Sequence, residues 1–306
     1  MKFTITGGTG FIGSYLLHFL TRQPHEIVIL TRGPSRVSTV HASVVRYVQW
    51  NADIAGAWAK EIEYSDVVIN LAGKNVFESR WNERVQQQIM NSRVIPTRSL
   101  VAAIARSEHK PRILLSVSAV GFYGSRNGEV ITEESSCGND FLAGVVQQWE
   151  LAAFEAEQSG VRVAIPRIGI VLQKEGGMVG KMLFPFQCFV GGPVGSGEQF
   201  VPWIHMDDVV RGILFPLVNE TLQGVYNLVS PHPVTMKEFS RVLGTVLHRP
   251  SWLPVPEFAL TILYGEGANA ILSGQNALPQ KLLNAGYQFT FSDLTAALQN
   301  ILRRHS

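Results

Sequence analysis

Short apolar runs alternate with amphipathic stretches over the first 172 residues of the chain. The apolar runs are rich in β-branched residues, and segments such as DVVINL and RILLSV are typical of strands buried on both faces of a parallel sheet. The pattern predicts strands at Lys2–Thr6, Glu26–Thr31, Val44–Val48, Asp66–Leu71, Arg112–Val117 and Val161–Pro166. It predicts helices near residues 11–22, 82–106 and 142–158. This alternation predicts an α/β fold with a doubly wound parallel sheet.

The pattern changes after Leu172. Glycine, proline and aromatic residues dominate residues 176–203, with little helical periodicity, which predicts an insert or long ordered loop. Strand and helix elements return at about 204–230, and helices are predicted near 206–218, 235–247, 257–273 and 292–303. We therefore expect a sheet domain over residues 1–175, a substrate-side insert over 176–203 and a smaller C-terminal helical lobe over 235–306.

The segment TGGTGFIG follows the first predicted strand and begins the first predicted helix. Gly7 permits a tight turn, Gly10 lets a pyrophosphate approach the backbone, and Gly13 lets the helix pack closely on the strand. The helix N-terminus, which includes Phe11 and Ile12, offers unpaired N–H groups to phosphate. This context favours a Rossmann-type dinucleotide-binding site over a merely structural turn.

The end of the second predicted strand indicates which dinucleotide binds. A carboxylate there would accept hydrogen bonds from a ribose, whereas a basic residue accommodates a 2′-phosphate. Thr31 and Arg32 close the strand, Arg36 follows, and no carboxylate lies between Ile27 and Arg36. The sequence therefore predicts NADP(H) rather than NAD, the alternative being that both arginines are solvated loop residues.

Three motifs together resemble the extended, epimerase-like branch of the short-chain dehydrogenase/reductase superfamily: TGGTGFIG, NLAG after the fourth strand, and SVSAVGFYG after the fifth. Later segments, among them RWNERVQQQIMNSR, DFLAGVVQQWE and GGPVGSGEQFVPWIHMDD, are similar to the YfcH-type group of epimerase family proteins. That group carries a C-terminal domain of unknown function. The resemblance covers essentially the whole chain.

The resemblance implies further cofactor contacts. Leu71, Ala72 and Gly73 are small or apolar residues at the carboxyl edge of the sheet, where ligands of doubly wound folds bind. Arg93 resembles a family position that reaches the cofactor, although an exposed helix cation is the alternative. Val171 is implied on the nicotinamide side.

The superfamily's acid and base residues, a tyrosine and a lysine in the pattern YxxxK, are absent. They would stand near residue 141, but residues 137–160 contain neither Tyr nor Lys. Ser116 and Ser118 end the fifth strand, and Ser118 matches the family's catalytic hydroxyl more closely. Tyr123 is the only nearby phenol and is a candidate proton donor, with a packed aromatic residue as the alternative. His205, beside Asp207 and Asp208, is interpreted as part of a structural helix start rather than a base, with Asp207 or Asp208 near the N-cap.

Composition excludes several classes of protein. With 26 Lys+Arg, 24 Asp+Glu and a formal charge of +2, the chain lacks the basic surplus of a nucleic-acid binder. Two cysteines make neither a disulfide framework nor a zinc site, and no metal-ligand spacing is present. No apolar run is long enough to span a membrane, so we expect a cytoplasmic protein, with a homodimer as the base expectation for any assembly.

Three functional interpretations remain open. The first is an NADP(H)-dependent oxidoreductase or epimerase-like enzyme acting on an unknown small carbonyl or hydroxyl substrate through Ser118 and either Tyr123 or a water. The second is a non-catalytic NADPH-binding sensor that acts through a protein partner, which the missing Tyr and Lys favour. The third, a true nucleotide-sugar epimerase, is weakest because that chemistry depends most on the absent tyrosine.

Overall fold

A parallel sheet forms the centre of the computed structural model, which describes residues 1–33, 44–52, 56–126 and 128–303. The described strands are β1 (Lys2–Thr6), β2 (Glu26–Thr31), β3 (Val45–Gln49), β4 (Val67–Asn70), β5 (Ile113–Ser116), β6 (Ser118–Ala119), β7 (Val130–Ile131), β8 (Arg162–Ile168), β9 (Ile170–Leu172), β10 (Phe200–Val201), β11 (Trp203–His205), β12 (Gly224–Leu228), β13 (Val234–Thr235) and β14 (Asn276–Ala277). The described α-helices are α1 (Phe11–Leu20), α2 (Glu83–Arg106), α3 (Phe141–Phe154), α4 (Gly177–Gln187), α5 (Met206–Leu214), α6 (Met236–Leu247), α7 (Glu257–Tyr264), α8 (Ala268–Leu272), α9 (Gln280–Asn284) and α10 (Leu294–Arg303).

The central sheet has the strand order β12-β8-β5-β4-β1-β2-β3, with β6 paired to β8. Each of these pairs is parallel, and the order reverses direction between β1 and β4. Apolar clusters on the two faces of the sheet hold α1 and α5 on one side and α2 on the other. The predicted doubly wound α/β fold is confirmed, and its ligand edge lies where the carboxyl ends of β1 and β4 meet.

The insert contains a helix that the sequence pattern did not predict. α4 covers Gly177–Gln187 and buries Val179, Met182 and Phe186, while Phe184 on the same helix is exposed. The apolar residues on several sides of α4 hide the helical period. The predicted helix over 257–273 is divided into α7 and α8 at Gly265, whose φ of 61° favours glycine. Pro96, in contrast, lies inside one continuous helix, α2.

The insert and the C-terminal helices share one apolar cluster. α4 contributes Met182 and Phe186, α6 contributes Phe239, and α10 contributes Leu298. Tyr287, although it lies in the C-terminal segment, packs into the sheet's own core instead. The boundaries at 176–203 and 235–306 stay predictions. None of the helices in the described part of the chain has the length and apolar character that a membrane crossing requires.

Candidate functional site

The glycine-rich turn between β1 and α1 leaves no space for side chains. Gly7 has φ of 67°, and a Cβ there would lie 2.5 Å from the carbonyl oxygen of Leu71. A Cβ at Gly13 would lie 2.3 Å from the carbonyl oxygen of Gly7, so α1 packs directly on the turn. Gly10 is the N-cap of α1, and no side chain caps the helix. The first-turn N–H groups of α1 and the positive end of its dipole are therefore available to an anion.

The insert lies against the first residue of α1. The Phe11 ring is 40% exposed, and a Cβ at Gly176 would lie 3.1 Å from it. Gly177, which begins α4, lies close to the carbonyl oxygen of Val171. The start of α4 thus lies close to both Phe11 and Val171, which are two predicted cofactor residues. Ile12, the next predicted residue, packs partly buried against the core of the sheet.

A buried polar network fixes the carboxyl ends of β1, β4 and β5. The Thr6 hydroxyl donates to Asn70 Oδ1 at 2.8 Å, and Asn70 Nδ2 donates to Thr97 Oγ1 at 2.8 Å and to Ser116 Oγ at 3.1 Å. Asn70 Oδ1 also accepts the N–H of Ala72 at 3.3 Å, and Ala72 precedes Gly73 in the predicted cofactor segment. Ser116 therefore holds the sheet edge together, and sequence reasoning missed the roles of Asn70 and Thr97.

Arg93 lies against the backbone of the predicted cofactor segment. A Cβ at Gly73 would be 3.4 Å from the guanidinium carbon of Arg93. The guanidinium donates to the carbonyl oxygens of Ile89 at 3.1 Å and Lys74 at 3.0 Å, and it lies 5.3 Å from the Trp149 ring centroid. Burial lowers the pKa of Arg93 to about 10, and across the described residues no ion pair joins it to a carboxylate. An anionic ligand would supply the missing counter-charge.

The two residues predicted to select the dinucleotide lie at the same edge. β2 ends at Thr31, whose side chain is half-buried and whose hydroxyl donates to the carbonyl oxygen of Gly33 at 3.4 Å. Arg32 follows and is exposed. Arg36, the second predicted arginine, lies outside the described residues.

Ser118 is hydrogen-bonded to a buried ion pair that sequence reasoning did not find. Its hydroxyl donates to Glu150 Oε1 at 2.5 Å, and Arg167 binds the same carboxylate through Nε at 2.8 Å and Nη2 at 2.7 Å. Burial disfavours the charge on Arg167, but the Glu150 carboxylate outweighs it and the pKa of the guanidinium is raised. The available signal in the sequence was the charge of Glu150 within the largely apolar α3 and of Arg167 within the largely apolar β8. The Ser118 hydroxyl proton therefore points to Glu150, and the Ser118 oxygen is left to accept a hydrogen bond.

Tyr123 does not have the open hydroxyl that a proton donor needs. It is fully buried, its hydroxyl donates to Asn227 Oδ1 at 2.7 Å, and it accepts from Arg167 Nη1 at 2.9 Å. Burial also raises the pKa of the phenol. The alternative interpretation, a packed aromatic residue with a bonded hydroxyl, describes this geometry.

His205 belongs to a structural joint. It is the N-cap of α5, and its Nδ1 accepts the N–H of Asp207 at 3.0 Å. Asp207 and Asp208 lie in the first turn of the helix, near the N-cap as predicted. The buried ring stacks on Phe291 at 3.9 Å between centroids. The carboxylate of Asp208 accepts the N–H groups of Thr290 and Phe291, which ties the C-terminal segment to α5.

The start of α3 carries no acid or base on the residues where the superfamily has its tyrosine and lysine. Asp140 caps the helix by accepting the N–H of Ala143 at 2.8 Å. Phe141 packs edge-on against Trp81, and Val145 is buried beside it. These positions are packed with apolar contacts, so the start of α3 supplies no side chain for proton transfer there.

The doubly wound sheet, the glycine turn after β1 and the N-terminus of α1 without a capping side chain are typical of the dinucleotide-binding class of α/β proteins. Comparison with known proteins specifies the family. The model of the NAD dependent epimerase/dehydratase family matches residues 3–228, and a domain of unknown function, DUF1731, matches residues 255–301. The chain belongs to the NAD dependent epimerase/dehydratase family, as the sequence resemblance predicted.

Individual relatives match over almost the whole chain. The epimerase family protein YfhF of Bacillus subtilis is 39% identical over 99% of this chain and 98% of its own length. The chloroplastic SDR39U1 homolog of Arabidopsis thaliana is 40% identical over 99% of this chain and 87% of its own length. The crystal structure of human epimerase family protein SDR39U1 (isoform 2) with NADPH superposes with a TM-score of 0.89 at 33% identity, covering 99% of this chain and 100% of that one.

Proposed function

We propose that this protein binds NADP(H) at the carboxyl edge of the sheet and uses it as an oxidoreductase or epimerase-like enzyme on a small carbonyl or hydroxyl compound. The observation that carries the proposal is the N-terminus of α1, which has Gly10 as N-cap, no capping side chain and a turn that tolerates only glycine at Gly7 and Gly13. The diphosphate would be held there, with Arg93 as the cation behind Gly73.

The choice of NADP(H) over NAD(H) is supported by the end of β2. Arg32 is exposed directly after Thr31 and is free to meet a 2′-phosphate in the solvent-facing position where an NAD-binding protein would have a carboxylate. The human relative of similar fold was crystallised with NADPH. When bound, the dinucleotide would supply or accept a hydride, and this chain would orient the substrate and handle its proton.

Ser118 is the group of this chain proposed to orient the substrate oxygen. Its proton is held by Glu150, so the serine oxygen is set to accept a hydrogen bond from a substrate hydroxyl. Arg167 holds the Glu150 carboxylate in place by binding both of its oxygens. Tyr123 and Asn227 in turn hold Arg167 from the other side, which gives them a supporting role rather than a catalytic one.

The test is a fluorescence titration of NADPH and NADH into the wild type and Arg32→Ala. We expect the wild type to bind NADPH more tightly, and the variant to lose about tenfold or more in NADPH affinity with little change for NADH, because one charge-assisted contact contributes about 1.5–3 kcal/mol. Arg22→Ala, which removes an exposed arginine two residues after the end of α1, is the matched control. Tighter binding of NADH by the wild type would refute the cofactor assignment.

A second candidate function is a non-catalytic NADPH sensor. The observation in its favour is that α3 carries Phe141 and Val145 where acid–base residues are expected, and that the Tyr123 hydroxyl is already bonded. A sensor would bind NADPH tightly and would not consume it with any carbonyl probe. The difference between an enzyme and a sensor therefore depends on whether another proton donor reaches the site.

A further inference from the structure

We propose that Tyr264 and Lys181 form the acid–base pair of this protein, brought to the cleft by the insert and the C-terminal lobe instead of by α3. This inference rests on the proposed function. Lys181 Nζ donates to the Tyr264 hydroxyl at 3.2 Å. The pair has the two side-chain types that α3 lacks, but they come from two distant segments, the first turns of α4 and the end of α7.

The pair is placed at the opening of the cofactor site by contacts on both sides. α4 begins at Gly177, next to Gly176 on the Phe11 ring, and Lys181 follows about one helical turn later. Tyr264 contacts the segment after β4, because its ring lies 6.2 Å from Phe77. Lys181 and Tyr264 therefore stand between the dinucleotide-binding turn and the loop that follows NLAG.

The end of α7 is held firmly against the sheet domain. The N–H of Trp81 donates to the carbonyl oxygen of Tyr264 at 3.1 Å, and Gln86 Nε2 donates to Glu266 Oε2 at 2.8 Å. Gly267 lies directly on the Trp81 ring, where a Cβ would be 2.9 Å from ring atoms. These contacts fix the backbone that presents Tyr264, as an acid–base group requires.

The hydrogen-bonding state of the pair suits proton transfer. The Tyr264 oxygen accepts from Lys181, and within the described residues its own proton has no acceptor. Lys181 lies 5.8 Å from the Phe77 ring centroid and 5.2 Å from that of Tyr264, and no ion pair joins it to a carboxylate in the described parts of the chain. Its charge is therefore available to stabilise a phenolate.

Four other tyrosines of the described chain are poorer candidates. Tyr123, Tyr226 and Tyr287 are buried, and the hydroxyl of each is hydrogen-bonded within the core. Tyr64 is 65% exposed, but it precedes β4 and so lies at the amino edge of the sheet, away from the ligand edge. Tyr264, in contrast, is only half-buried, accepts a hydrogen bond from a lysine and lies on the side of the ligand edge of the sheet.

The proposed step is proton donation during reduction of a carbonyl. A bound reduced dinucleotide would supply the hydride to the carbonyl carbon. The Tyr264 O–H bond breaks as its proton forms the new O–H bond on the substrate oxygen, and the Lys181 ammonium stabilises the phenolate that remains. Solvent then reprotonates Tyr264, since Lys181 is exposed and Tyr264 half-exposed. Oxidation of a hydroxyl compound runs through the same transfers in reverse.

The experiment measures NADPH consumption with a panel of carbonyl probes, beginning with the planar diketone 9,10-phenanthrenequinone, which suits the aromatic rings of Phe77 and Tyr264. We expect wild-type protein to consume NADPH, and Tyr264→Phe to lower the rate about 100-fold or more while keeping NADPH affinity within about twofold. Lys181→Met should lower the rate at least tenfold, with partial recovery in Lys181→Arg. Tyr64→Phe is the matched control and should match the wild type.

A second readout does not depend on turnover. With NADP⁺ bound, calorimetry measures binding of the same diketone, and we expect Lys181→Met to weaken it at least threefold. Unchanged rates in Tyr264→Phe and Lys181→Met would overturn the pair. So would a wild type that binds NADPH yet consumes none with any probe, a result that favours the sensor. Failure to bind NADPH at all would instead refute the proposed function itself.

Discussion

Removing Glu150 should strongly destabilise the protein, because it leaves the Arg167 guanidinium buried without a counter-charge. The two side chains are 5% and 4% exposed, and the carboxylate also accepts the Ser118 hydroxyl. Breaking one partner of a buried ion pair costs about 3–5 kcal/mol, whereas replacing both by apolar residues of similar volume is often neutral. We therefore expect Glu150→Ala to lose about 3–5 kcal/mol of unfolding free energy, and Glu150→Leu combined with Arg167→Met to lose much less.

Urea unfolding followed by tryptophan fluorescence measures these differences. With a slope of about 3 kcal/mol per molar urea, Glu150→Ala should lower the midpoint by roughly 1 M or more. Glu238→Ala removes an exposed carboxylate that pairs with Arg241 on α6, and this control should change stability by less than about 1 kcal/mol. If Glu150→Ala were no more harmful than Glu238→Ala, the buried network would not hold Ser118 in the way described.

Three further predictions concern the site. Gly13→Ala should abolish NADPH binding in a titration, because its Cβ would lie 2.3 Å from the carbonyl oxygen of Gly7 and would push α1 off the turn; retained affinity would contradict the geometry of the turn. Arg93→Met should weaken NADPH binding about tenfold with a small change in melting temperature, since the guanidinium now bonds only neutral groups. Tyr123→Phe should cost about 1–3 kcal/mol of stability in urea, because it leaves Asn227 Oδ1 without its donor, and a large loss of turnover at unchanged stability would restore Tyr123 as a catalytic residue.

The sheet and the dinucleotide turn are predictable from local sequence. The strands of the sheet are apolar runs of β-branched residues, and the turn depends on glycines whose spacing reflects backbone geometry. The sequence pattern missed α4 and the short α9. α4 has apolar residues both on its buried side and at the exposed Phe184, so it shows no polar face. Hydrophobic periodicity cannot reveal a helix of this kind.

The polar site depends on contacts between distant residues and is less accessible to sequence reasoning. Asn70 reaches Thr97 across 27 positions, and Glu150 reaches Ser118 across 32 positions. The separation between Lys181 and Tyr264 is 83 positions, so no motif contains both. The region near residue 141 lacks the tyrosine and lysine that the superfamily has there. Lys181 and Tyr264 meet through the packing of α4 and α7 in the folded chain.

The most direct test of the central claim is a crystal structure of the protein grown with NADPH. We predict diphosphate oxygens at the N–H groups of Phe11, Ile12 and Gly13, and the 2′-phosphate beside Arg32. We also predict the nicotinamide ring near Ser118 and Tyr264. A dinucleotide bound elsewhere, or a 2′-phosphate away from Arg32, would contradict the account.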